Sequence, residues 1–124
     1  MSVLIYDGKP GVGTDGLEVE LTRAFLAMRE AAANGDAVVV CVDERDVLGV
    51  GEPAQSALAH GLLGLARALA IEGSKPGWRI AVLSSTPEVP ADERRRWIER
   101  LSEPGAASGT LVRLGGGHLG RVPT

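Results

Sequence analysis

Ala37-Val38-Val39-Val40-Cys41-Val42 is the stretch that decides the fold. Its valines are stiff, β-branched residues that favour a strand, and the run has no polar alternation, so both of its faces must be covered. A strand of that kind belongs to a parallel sheet. Working outward, residues 3–6, 78–83 and 110–114 are three further short apolar runs that read as strands. Between the runs lie helical patterns. Leu17, Leu21, Ala24 and Met28 recur at helical spacing over 17–33, with Phe25 and Leu26 widening the apolar face and Glu18, Arg23, Arg29 and Glu30 falling away from it. Asp15 is expected to cap this helix with Glu18 reaching back, and Asn34-Gly35 to end it. A second helix over 53–72 is apolar or small almost all round. Leu58, Leu62, Leu65 and Leu69 form one stripe, and Ala57, Gly61, Gly64 and Ala68 form its neighbour. A third helix, about 91–102, offers only Trp97, Ile98 and Leu101 as an apolar face. The predicted architecture is α/β and three-layered: a four-stranded parallel sheet in sequential order, half of a Rossmann-like unit, with helices on both faces and right-handed crossovers.

The 124 residues are enough for one domain spanning 1–124, and 44% hydrophobic against 23% charged residues supports a buried core. Thirteen Lys plus Arg against sixteen Asp plus Glu leave a net charge of −3, which offers no attraction to nucleic acid or to an anionic membrane. The first residues lack the basic and apolar segments of a signal peptide, and no apolar run reaches membrane-spanning length. A soluble, cytoplasmic protein is the expectation. Cys41, the single cysteine, has no disulfide partner within the chain and sits in an apolar run, so it is read as an inert buried thiol.

From Ala54 onward the sequence resembles the second half of a short-chain dehydrogenase/reductase. The stretch from Gln55 to Glu72 is similar to that family's active-site helix, in which Tyr-x-x-x-Lys precedes a Gly and a Leu/Ala-rich run ending in Glu. The segment from Ser108 to Gly117 is similar to the last strand and its Gly-Gly ending, and residues 78–83 to the strand before it. Upstream, residues 3–8 resemble the fourth strand and its turn, and 17–33 the long interface helix. The resemblance implies a truncated, degenerate member of the family. Gln55 stands where the tyrosine would act as proton donor, Ala59 where the lysine would lower its pKa, and Glu20 where the asparagine would stand. No serine occurs in Asp43-Glu44-Arg45-Asp46, and Ser85-Thr86 replaces the Pro-Gly that approaches nicotinamide. Hydride transfer by the family's mechanism is therefore not expected. The family associates through its two long helices, which implies a homodimer or homotetramer built on 17–33 and 53–72, with Leu21, Phe25, Met28, Ala57, Gly61, Gly64, Leu65 and Ala68 at the contact.

Other motifs admit two readings. Gly11-Val12-Gly13-Thr14-Asp15-Gly16 is a literal G-x-G-x-x-G between a strand and a helix, as in a dinucleotide fingerprint. Asp7-Gly8-Lys9-Pro10 intervenes after the strand, however, and Asp43 stands further on than the roughly 20 residues the fingerprint requires. Tight turns and a helix start explain the same glycines. Gly11, Gly13 and Gly16 are thus candidates for NAD(P) or another anion only under an alternative reading. Asp43, Glu44, Asp46, His60 and Ser84 or Ser85 could gather at the carboxyl ends of the strands, although His60 points about 100° away from the Ala59 side of its helix. No metal-ligand spacing is present. Arg94-Arg95-Arg96 is balanced by neighbouring acids, Tyr6 is read as a packing residue, and Gly115-Gly116-Gly117 as a turn.

The expected role is structural or interaction-based, with no cofactor. The alternatives are an NAD(P)-linked oxidoreductase subunit completed by a full-length dehydrogenase, and a small nucleotide- or ligand-binding module using the 11–16 loop.

Overall fold

A run of valines can leave neither face to water, and β2 (Ala37–Asp43) accordingly lies inside a four-stranded parallel sheet. The strand order is β1 (Val3–Asp7), β2, β3 (Ile80–Ser85), β4 (Thr110–Leu114). The computed structural model describes residues 3–8, 10–105 and 108–115, so Gly116 and Gly117 of the expected turn lie outside the described residues. Tyr6 is level with Val40, Val40 with Val82, and Val82 with Leu111 across the sheet. Alternate residues of β2 and β3 then feed two separate cores. Val38, Val40, Val42, Ile80 and Val82 meet α1 (Leu17–Ala33) and α3 (Pro53–Glu72) on one face. Val39, Cys41, Ala81 and Leu83 meet Ile98 and Leu101 of α4 (Ala91–Ser102) on the other. A short helix, α2 (Glu44–Leu48), joins β2 to the loop before α3.

Three connections of one hand in a sequentially ordered parallel sheet would place all three long helices on one face. Here α1 and α3 share a face and α4 takes the opposite one, so the β3–α4–β4 connection has the opposite hand to the two before it. The expectation of right-handed crossovers throughout is corrected: at least one connection departs from the usual rule. The physical demand is plain, because β2 and β3 are apolar on both sides and only α4 remains to cover the second. It lies over β2 and β3. On β1 that face is left open, with Val3 and Ile5 exposed, and β1 is an edge strand as its position in the order dictates.

Local signals were resolved differently at four places. Asp15 does not cap α1: Thr14–Gly16 form a turn of 3-10 helix, and Gly16 takes the cap position with no side-chain bond. Trp78 and Arg79 precede β3 instead of opening it, because the Trp78 amide is spent on the Gly73 carbonyl at the end of α3. Leu26 does not widen the sheet-facing side of α1 but points out, 60% exposed, whereas Glu20 is buried. The acidic segment after Val42, to which the sequence pattern assigns no helix, is helix α2, with Asp43 as its cap accepting from the Arg45 amide at 2.9 Å. Cys41 is buried. Among the described residues no helix is long and apolar enough to cross a membrane.

Candidate functional site

Parallel strands deliver their carboxyl ends to one edge of the sheet, and there the chain leaves a cavity of about 710 Å³. β1 contributes Asp7 and the following Gly8, β2 contributes Cys41, Val42 and Asp43, and β3 contributes Ser85, followed by Thr86. α3 forms the floor with Gln55, Leu58, Ala59 and Leu62, and Ala91 and Arg94 bring in the start of α4. Gln55 and Ala59, the positions matched to tyrosine and lysine by the family resemblance, thus face the same space as Ser85 and Thr86. Neither a carboxamide nor a methyl group titrates in water, so these two positions supply no proton. Glu20 is elsewhere, buried where α1 meets β1.

The electrostatics of the rim follow from close pairing. Arg94 donates from Nη2 to Asp7 Oδ1 at 2.9 Å, tying α4 to β1. Arg45 donates from Nη2 to Asp43 Oδ2 at 2.7 Å, and this guanidinium holds the Asp43 carboxyl below the usual carboxylate value. Asp46, one turn further along α2, is pushed the other way, by partial burial first and then by the charge of Asp43. Burial pushes the Cys41 thiol up, partly offset by Arg94, which removes it from the range of reactive thiolates.

The Gly-rich loop does not present a free row of amides. The Val12 amide donates to Gln55 Oε1 at 2.6 Å, and the Gly16 amide donates to the Gly13 carbonyl at 3.1 Å. Gln55 therefore fastens the 11–16 loop to the start of α3.

Of the residues that could have formed a hydrolytic group, Asp43, Asp46 and Ser85 reach the cavity. His60 does not: it is exposed, with Nε2 2.9 Å from the Val47 carbonyl. Glu44 and Ser84 form a different cluster altogether. The Ser84 hydroxyl donates to Glu44 Oε1 at 2.6 Å, and Arg113 of β4 grips the same carboxylate through Nε at 3.0 Å and Nη2 at 2.7 Å. Glu44 is 2% exposed and Arg113 partly exposed, so a buried carboxylate met by a half-buried guanidinium links α2, β3 and β4. An arginine within an apolar strand was its one sequence signal. On the sheet's first face, the Tyr6 hydroxyl donates to Glu20 Oε1, and burial together with that carboxylate pushes the phenol up to about 12. Among the described residues no group of three His, Cys, Asp or Glu side chains is placed to hold a metal ion.

The residues expected at a subunit contact divide into three sets. Met28 is wholly buried beneath α1 and has no surface to offer. Leu21, Phe25 and Leu65 are half-buried and packed against the core, and Gly61 is covered by Leu21 of the same chain. Its missing side chain serves the α1–α3 contact within the chain. Ala57, Gly64 and Ala68 remain exposed. With them, on the side of the helical layer turned away from the sheet, lie Val19 and Leu26 of α1 and Ile71 of α3. Arg29 Nη2, 2.8 Å from Glu72 Oε1, bridges the ends of the two helices beside this surface. No family model matches the chain, and no curated protein matches it.

Proposed function

We propose that this chain is a non-catalytic assembly subunit, a degenerate relative of the short-chain dehydrogenases that associates with copies of itself through the outward side of α1 and α3. The observation that carries this reading is the composition of that side. Val19, Leu26 and Ile71 are 59%, 60% and 77% exposed. Beside them Ala57, Gly64 and Ala68 keep α3 low, and nothing stands within 4 Å of a Cβ built at Gly64. A facing helix can approach closely along such a path, and contiguous apolar patches on a folded surface are the usual material of protein contacts. Two helices from each of two copies give a four-helix layer between two sheets.

The non-catalytic half of the proposal is supported by Gln55 and Ala59, which face the cavity with no titrating group. The single thiol suits a cytoplasmic setting. Native mass spectrometry, with and without NADH and NADPH, tests both halves. Expected is a dimer or tetramer whose mass neither nucleotide changes. A monomer would contradict the assembly, and a nucleotide adduct would favour the oxidoreductase-subunit reading.

A further inference from the structure

The cavity at the carboxyl ends of β1, β2 and β3 has no part in the assembly surface. At about 710 Å³ it falls in the range of small-molecule sites, roughly 300–1,000 Å³. Its walls are of two kinds. Apart from Gln55, whose Oε1 accepts from the Val12 amide, the floor is hydrocarbon, from Leu58, Ala59 and Leu62 of α3 with Val42 beside them. The rim carries the carboxylates of Asp7, Asp43, Asp46 and Glu88 against two guanidiniums, that of Arg94 in the wall and that of Arg45 held on Asp43 beside it.

These charges are not equivalent. Asp7 is met by Arg94 and Asp43 by Arg45, at 2.9 and 2.7 Å. The Asp46 carboxylate, half-buried on the same rim, makes no ion pair or hydrogen bond among the described residues. An anion in the cavity would meet this excess of carboxylates. A neutral apolar guest would strip water from Asp46 and give nothing back. A guest with an apolar body and a positive end satisfies both walls, because the body covers the leucines and the charge replaces the water lost by Asp46.

We propose that the cavity binds a small organic cation, an apolar body resting on Leu58, Ala59 and Leu62 with its protonated primary amine at the Asp46 carboxylate. Ser85 also lines the cavity, and its hydroxyl oxygen can accept an ammonium proton. This site stands apart from the assembly reading: a monomer that binds an amine would defeat the one and leave the other intact.

Isothermal titration of the full chain with benzylamine, benzyl alcohol and phenylacetate is the test, repeated with Asp46→Asn after its fold is checked by circular dichroism. Saturable one-site binding of benzylamine is expected, with the alcohol and the acid at least about tenfold weaker and a similar loss in Asp46→Asn. In the unaltered protein, the methyl resonances of Leu58 and Leu62 should shift as benzylamine is added, so the site remains testable if the variant misfolds. Equal affinity for amine and alcohol, unchanged binding by Asp46→Asn, methyl shifts elsewhere, or no saturable binding of benzylamine would each overturn the proposal.

Discussion

Leu21 of α1 and Gly61 of α3 meet where α3 has no side chain: a Cβ at position 61 would lie 2.7 Å from Leu21 Cδ2. The two helices owe their close approach over the sheet to that gap. A larger residue there must push Leu21 aside or spread the layer. Gly61→Leu is expected to destabilise the fold by about 1–3 kcal/mol in urea unfolding, the usual cost of overpacking. Adding Leu21→Ala should recover part of that loss, because the double variant removes the atoms that collide.

Asp43 and Asp46 give opposite pH dependences from neighbouring positions. The folded Asp43 carboxyl lies below its ordinary 3.8, so the stability it contributes is fully present above 3.8 and is lost as pH falls through the lowered value. The folded Asp46 carboxyl lies above 3.8, so its ionisation costs the folded state more than the unfolded one; that cost is absent well below 3.8 and grows as pH rises through the raised value. At pH ~7, Asp43→Asn should lower the thermal midpoint and Asp46→Asn should raise it, and both differences should shrink as pH falls through the carboxylate range. Thermal melts across that range check the signs.

Tyr6 is the only tyrosine in the chain, so ultraviolet absorbance reports its ionisation alone. Its midpoint should stand at about 12 in the folded protein and return to the ordinary 10 in denaturant. The folded state favours the neutral phenol, so stability from this group is intact below 10 and declines as pH rises toward about 12. Glu20→Gln removes the carboxylate that the hydroxyl meets, and should bring the midpoint down.

Arg113 is the cation that makes burial of Glu44 tolerable. Arg113→Met leaves a carboxylate 2% exposed with, among the described residues, only the Ser84 side chain to donate to it, and a loss of about 3–5 kcal/mol is expected from denaturant unfolding. Pairing it with Glu44→Leu should restore much of the stability, since an apolar pair of similar volume leaves no buried charge.

The sheet was legible because valines in sequence admit few arrangements, and the span of α3 was legible from its stripe of leucines and Pro53 at its start. The side taken by α4 was not. Trp97, Ile98 and Leu101 announce an apolar face but carry no information about which surface of the sheet will need it. Position on a helix was similarly ambiguous. Leu26 and Met28 are both apolar, and only the direction of the sheet, fixed by tertiary packing, sends one outward and the other into the core. The Glu44–Arg113 pair spans most of the chain, and no local pattern foretells such a contact. Gly61 and Gly64 read alike as small positions one turn apart. The neighbouring helix fills the space at one and leaves the other open.

Sedimentation equilibrium of the wild-type chain beside Gly64→Trp is the most direct test of assembly through α1 and α3. Position 64 is exposed with nothing within 4 Å of a Cβ, so the indole can be accommodated without disturbing the single chain. A wild-type dimer or tetramer that becomes a folded monomer in Gly64→Trp is the expected result. A monomeric wild type, or an assembly of unchanged mass in the variant, would contradict association through this surface.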